Sequence, residues 1–298
     1  MSRPYRLRGR SPQDLARGAV GRASAIMVRR AAREYVAGPT AGDALAVARR
    51  LDDQGLRHVL GYWNEGSQTP REVADELLAG VAALAPTMRG APADGYVSLK
   101  TPALGFEHEL AAEVAKAAAA GGVALHCDAQ DAVSADATLE LIESGALPAE
   151  RTGTTLPGCW TRSLEDADRA VELGVARLRV VKGQFPLPGA AGTDPTLGYA
   201  GVVERLAGRA RAVAVASHDP VLVRHALGRL LAAGTPCELE LFYGLPLGPS
   251  RAVADELGVP VRIYVPWGYP SLPYEATASP RSVGWLTRDV VLGSPGRL

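Results

Sequence analysis

The sequence predicts a (β/α)8 barrel, an α/β fold, and three observations carry that prediction. Short β-branched or apolar runs recur eight times, helical patterns stand between them, and polar or ionisable residues gather at the ends of six of the eight runs. Strict alternation of strand and helix signals argues for a parallel sheet with covering helices. Eight such units in about 240 residues fit a closed barrel rather than an open doubly wound sheet. A dinucleotide-binding sheet would want G-x-G-x-x-G directly after its first strand, and the segment GYWNEGSQ does not supply it.

In chain order, the helical pattern AGDALAVARRLDDQG comes first, placed below or beside the barrel, and RHVLGY (57–62) is the first strand. PREVADELLAGVAAL leads to GYVSLK (95–100), FEHELAAEVAKAAAAG to GVALHCD (122–128), and SADATLELIESG to GTTLPGC (153–159). SLEDADRAVELG then precedes ARLRVVK (176–182), DPTLGYAGVVERLAG precedes RAVAVAS (211–217), and DPVLVRHALGRLLAAG precedes PCELELFY (236–243). GPSRAVADELG leads to the last strand, VRIYV (261–265). Several helices open on an N-cap signal, Ser134, Ser163 or Asp219-Pro220, and close on glycine, as helices prefer. The Pro/Gly-rich FPLPGAAGTDPTLG reads as a lid. With no linker in sight, residues 1–55 are expected to form a helical extension packed on a barrel of residues 56–298.

Composition narrows the function classes. The 298 residues carry 32 basic and 32 acidic side chains, and this zero net charge argues against a nucleic-acid binder. Cys127, Cys159 and Cys237 are odd in number and far apart, offering neither a disulfide framework nor a C-x-x-C metal site. No stretch approaches the roughly 18 uninterrupted apolar residues of a membrane span, and the arginine-dense N-terminus lacks the apolar core of a secretory signal. A cytoplasmic protein with at most peripheral membrane contact is the expectation.

Barrel chemistry collects at the C-terminal ends of the strands. Those ends carry Lys100, Asp128, Arg179 with Lys182-Gly183, Ser217-His218, Glu240 with Tyr243, and Tyr264 with Trp267. An unpaired charge is expensive inside a strand, so Lys100, Arg179 and Glu240 are expected to be paired or to face a ligand. Ser217-His218-Asp219 has the letters of a hydrolytic triad, but adjacent residues cannot hold one another in triad geometry. His126 and Asp128 share a strand face, yet a metal-dependent hydrolase needs three or four protein ligands. Arg179, Lys182 and Gly183 instead offer cations and a permissive backbone, suited to a phosphate, a pyrophosphate or an electron-rich ring that gains negative charge.

The runs EYVAGPTAGDALAVARRLDDQGLRHVL, YVSLKTPALG, LHCDAQDAVSADATLELIE, LRVVKGQF, AVASHDPVLV, ELELFYGL and RIYVPWGYPSLPY resemble, in order and spacing, the proline dehydrogenase family over roughly residues 34–295. SLKxxALG, RxVKG, A-[ST]-H and YVPxG…PY are the strongest matches. The resemblance implies a distorted barrel with FAD across its strand ends, oxidation of a C–N bond by hydride transfer to flavin N5, and a quinone or O2 as electron acceptor. It also implies that Arg179 lies near the flavin ring, that Lys182, Gly183, Ser217 and His218 line the cofactor, and that Lys100, Asp128, Tyr264 and Tyr274 face the substrate.

The departures from the family concentrate on the substrate side. Thr277 and Ala278 occupy the positions of the family's two carboxylate-clamping arginines, and Arg281 falls too late to replace either. Pro157 replaces a flavin-contacting glutamine, Phe185 a tyrosine, Phe242 a leucine on the proline ring, and Glu240 a glutamine. Hydrogen bonds to charged groups are worth about 1.5–3 kcal/mol each, so losing the arginine pair points to an amine substrate other than free proline, in a specialised-metabolism setting. Glu240 would then pair with a cationic nitrogen or form an internal ion pair with Lys100 or Arg179. Three alternatives stand beside this one: proline itself bound through Lys100 and Arg281 or Arg288, a non-catalytic or FAD-poor member, and a metal- or phosphate-using lyase on the same barrel.

Overall fold

The computed structural model describes residues 33–88, 95–128, 131–183 and 192–270. Eight parallel strands close in sequence order: β1 (Arg57–Trp63), β2 (Tyr96–Leu99), β3 (Ala124–Cys127), β4 (Thr152–Pro157), β5 (Arg177–Val181), β6 (Val213–Ala216), β7 (Cys237–Phe242) and β8 (Val261–Gly268). The eight described α-helices are α1 (Ala41–Asp52), α2 (Pro70–Leu84), α3 (His108–Ala120), α4 (Ser134–Glu143), α5 (Ser163–Glu172), α6 (Pro195–Leu206), α7 (Pro220–Ala232) and α8 (Gly248–Leu257). Every predicted strand is present, and β8 runs to Gly268, beyond the expected end at residue 265.

Helix starts are written in the sequence. Thr40 with Asp43 and Thr69 with Glu72 form reciprocal capping boxes on α1 and α2, each satisfying two otherwise orphaned donors. Asp194-Pro195 and Asp219-Pro220 start α6 and α7 with a carboxylate cap and a proline in the first turn. Ser134 and Ser163 depart from expectation. Each is the first helical residue, behind Val133 and Arg162, and neither caps its helix. Their hydroxyls instead donate back to the carbonyls of Asp131 and Pro157, tying each helix to the loop before it.

The strand faces divide the protein into two interiors. Residues such as Leu60, Val97, Leu125, Leu178, Val180, Val215, Leu241 and Ile263 face outward and join the helices in the large apolar core. Trp267, expected at the mouth, also lies on this outer face, fully buried; a Cβ on Gly80 of α2 would come within 2.7 Å of its ring. The inner face carries Tyr96, Ser98, His126, Thr155, Arg177, Arg179, Glu238, Glu240, Arg262 and Tyr264, so the barrel is filled largely by paired polar groups. Helix α1 covers the seam between β8 and β1.

Candidate functional site

Arg179 is the centre of the inner face. It is 4% exposed; its Nη1 donates to Asp128 Oδ1 at 2.5 Å, and its Nε lies 2.7 Å from Glu240 Oε1. Burial alone would lower its pKa, but Glu240, Tyr96 and Asp128 outweigh that and hold the guanidinium well above its usual value. Asp128 also accepts from Ser98 Oγ at 2.6 Å and Tyr264 Oη at 2.7 Å, while Glu240 Oε2 accepts from Tyr96 Oη at 2.6 Å. The structure therefore places Glu240 in the internal ion pair with Arg179, with both carboxylate oxygens engaged. A substrate nitrogen would have to displace one of these partners to reach it.

Tyr264 reaches Asp128 because β1 has no side chain at residue 61. A Cβ on Gly61 would lie 2.1 Å from Tyr264 Oη. Tyr264 stacks on Phe242 at 5.4 Å between centroids, and Phe242 meets Trp63 at 5.7 Å, forming an aromatic wall on β8, β7 and β1. Lys100 follows β2 at the edge of this wall. Its Nζ donates to Tyr62 O at 3.0 Å and stands 5.7 Å from the Trp63 ring centroid. Burial lowers its pKa from 10.5 to about 8, with Asp128 pulling the other way. Among the described residues no carboxylate forms a salt bridge with Lys100.

The opposite side of the mouth, at the ends of β4 to β6, differs in character. Lys182 is partly exposed and lies 3.2 Å from Asp219 Oδ2. Asp219 caps α7, and its backbone N–H donates to Ser217 Oγ. Gly183 has φ +87°, and a Cβ there would lie 2.3 Å from Cys159 Sγ, so only glycine lets the chain turn this tightly beside Pro157 and Cys159. His218 uses both ring nitrogens within the protein: Nε2 accepts from the Phe242 N–H at 2.9 Å, which leaves Nδ1–H to donate to Pro246 O at 3.1 Å. Burial lowers its pKa to about 4, so the ring is neutral and fastens β6 to the β7 end.

A cation, a hydroxyl and a close-approaching backbone beside a helix N-terminus form a donor set that fits a phosphorylated cofactor. The buried Arg179 supplies positive charge near the same mouth. A small solvent-open cleft runs from Asp128 past Thr155 to Trp160, between the β3 and β4 ends. Among the described residues no group of three or more His, Cys, Asp or Glu side chains is placed to hold a metal. Likewise, none of the described helices is long and apolar enough to cross a membrane.

The structure thus brings Lys100, Asp128, Arg179, Glu240, Phe242 and Tyr264 together, with Pro157, Lys182, Gly183, Ser217 and His218 along the adjoining rim. Tyr274, Phe185, Thr277, Ala278, Arg281, Arg288 and the first half of the expected lid lie outside the described residues. Sequence reasoning passed over Gly61, Trp63, Tyr96 and Ser98, and the deeper Arg177, Glu238 and Arg262. The signal was the alternation in YVSLK, RLRVV, ELELF and RIYV, where polar residues two apart share one face of an otherwise apolar strand.

Together the fold and site define a (β/α)8 barrel with its chemistry gathered at the C-terminal mouth, an arrangement typical of small-molecule enzymes. No family model matches the chain. Two curated proteins called proline dehydrogenase 1, from Bacillus subtilis subsp. natto and from B. subtilis strain 168, are each 27% identical over 264 residues, covering 83% of this chain and 85% of the relative. Among solved structures, proline utilization A (PutA) from Bdellovibrio bacteriovorus, inactivated by N-propargylglycine, superposes with a TM-score of 0.73 at 17% identity, covering 96% of this chain and 36% of that one. A Bradyrhizobium japonicum PutA variant gives a TM-score of 0.66 at 18% identity, covering 88% of this chain and 31% of that one. This chain spans about a third of the length of these PutA chains. The chain is thus similar in sequence to curated proline dehydrogenases and shares the barrel fold of the PutA structures.

Proposed function

We propose that the protein is an FAD-dependent oxidoreductase that dehydrogenates a C–N bond of an amine substrate other than free L-proline. The observation that carries this reading is the charge balance at the mouth. Arg179 is matched by Asp128 and Glu240, which leaves Lys100 as the cation without a carboxylate partner among the described inner-face residues. A single ammonium is a point contact and lacks the planar two-pronged grip of a guanidinium on a carboxylate. By the sequence resemblance, Thr277 and Ala278 take the positions of the family's two carboxylate-binding arginines.

Lys182, Ser217 and the start of α7 would hold the phosphates, and the chemistry FAD supplies when bound is acceptance of a hydride at N5. Lys100 Nζ, or water beside it, would take the N–H proton that the substrate releases as its C–N bond is oxidised to C=N. With a pKa of about 8, Lys100 has an appreciable neutral fraction near physiological pH. The wall of Trp63, Phe242 and Tyr264 packs the apolar body of the substrate, and a quinone or O2 takes the electrons onward. This reading keeps the protein in the cytoplasm, with membrane contact at most peripheral.

L-proline itself is the second reading, favoured by Lys100, whose ammonium is free to meet a carboxylate. The test is the visible spectrum of the purified, FAD-reconstituted protein under anaerobic titration. Bleaching of the flavin bands by pyrrolidine or prolinamide, with L-proline inert, is the expected result. Bleaching by L-proline at least as readily would establish the second reading. A protein that takes up no FAD would remove both.

A further inference from the structure

Two charge layers lie one above the other inside the barrel, and one side chain touches both. In the lower layer Glu238 accepts from Arg262 Nε and Nη2 at 2.8 and 2.9 Å, with Arg177 Nε at 3.3 Å. The upper layer is Arg179 with Glu240 and Asp128. Between them lies the ring of Tyr96, its centroid 4.3 Å from Arg177 Cζ and 4.7 Å from Arg262 Cζ. Its hydroxyl donates to Glu240 Oε2 at 2.6 Å and stands 3.5 Å from Arg179 Nη2.

This placement gives the hydroxyl a definite task. Two guanidinium groups against a phenol ring draw on its π electrons, and such a ring carries a stronger O–H donor. Glu240 is 4% exposed, and its oxygens meet Arg179 and Tyr96. A buried carboxylate that loses one of its donors is no longer held in place and turns away. That movement strips compensating charge from Arg179.

We infer that Tyr96 is a positioning residue that fixes Glu240 against Arg179, so that the mouth meets Arg179 as a compensated cation. Its consequence for the reaction rests on the flavoenzyme reading above: a bare guanidinium beside the cofactor would favour the reduced, more negative ring, and a compensated one holds the flavin to a weaker oxidising power. The residue acts through Glu240, with no contact to substrate required.

The experiment compares the wild-type protein with Tyr96→Phe, Glu240→Gln and the double variant. Tyr96→Phe keeps the ring between the two guanidinium groups and removes only the hydroxyl. At a potential fixed by a reference dye, it is expected to move the oxidised-to-reduced flavin ratio about tenfold toward the reduced form, the scale of one uncovered charge in a buried site. Glu240→Gln should move the ratio further in the same direction, and the double variant should match Glu240→Gln alone. An unchanged ratio in Tyr96→Phe, or shifts that add in the double variant, would overturn the inference.

A second measurement needs no flavin. In urea unfolding, the Tyr96→Phe loss of midpoint should be smaller in the Glu240→Gln background than in the wild type, whereas equal losses would mean that the hydroxyl does not act through Glu240. A colourless protein defeats the proposed function, while the urea cycle still decides the link between Tyr96 and Glu240. Should Glu240→Gln not fold, Glu240→Asp takes its place.

Discussion

Replacing Lys100 by methionine should make the protein more stable while weakening anion binding at the mouth. The ammonium is held by the Tyr62 carbonyl at 3.0 Å and the Trp63 ring, and burial lowers its pKa from 10.5 to about 8. A lowering of that size corresponds to about 3 kcal/mol of stability given up in the charged state at neutral pH. The residue keeps a partly solvated edge, and methionine gives up the hydrogen bond to the Tyr62 carbonyl, so the net gain falls to about 1–2 kcal/mol. Because the folded protein binds this proton less tightly than the unfolded chain does, the advantage of Lys100→Met is complete below pH 8. It shrinks as the pH rises toward 10.5. Urea unfolding of both proteins at pH 7 and pH 9.5, at about 25 °C, reads the difference. A variant less stable than the wild type at pH 7 by 1 kcal/mol or more would refute the argument, because the ammonium would then be a structural tie.

Glu238→Gln should destabilise the protein by about 3–5 kcal/mol, since it removes the carboxylate that accepts from both Nε and Nη2 of the fully buried Arg262. Burial pushes the Glu238 carboxyl upward, but Arg262, Arg177 and Arg57 outweigh it and hold the pKa below the usual value. Its stabilisation is therefore present above the ordinary glutamate range and is lost as the pH falls through the depressed value; acid titration of the unfolding midpoint, steeper in wild type than in Glu238→Gln, checks this. Gly61→Ala would drive a methyl group into Tyr264, costing about 1–3 kcal/mol in urea unfolding and breaking the bond from Tyr264 to Asp128. Asp219→Ala removes the α7 cap and releases Lys182; a loss of about 1 kcal/mol is expected, with a change in FAD affinity at equilibrium dialysis.

The positions of the strands were legible because each is a short apolar run bounded by a helix signal, and closure in sequence order follows from eight such units. The helix starts were legible where a carboxylate precedes proline, as at Asp219-Pro220, and misleading at Ser134 and Ser163. A serine that opens a helix and one that ties the helix to its loop have the same local sequence. Lys100, Asp128, Arg179 and Glu240 could be read as a set because charges at strand ends need partners. Which partner each takes could not be read, since that depends on the barrel's radius and on which residues face inward from strands far apart in sequence. Glu240 illustrates the limit: its pairing with Arg179 is decided by the register of β5, β6 and β7. Tyr96 escaped notice because an aromatic residue at the start of a strand looks like ordinary core.

The ladder between β1 and β8 has a consequence for how the chain reaches its native state. It holds seven residue pairs, against three between β1 and its sequence neighbour β2. Across it Arg262 Nη1 bonds to His58 O, 204 positions away. During synthesis β1 and the apolar face of α1, Ala44, Val47, Ala48 and Leu51, emerge early. Their principal partner is then still to be made. A nascent chain in this condition displays an unpaired strand edge for as long as translation takes to reach β8, a state prone to association with other chains. Moving the break in the chain from the β1–β8 seam to a turn such as that between α7 and β7 would let β8 and β1 appear in succession. A permuted protein of that kind would be expected to give a larger soluble fraction from a cell-free ribosome, with its folded structure unaltered.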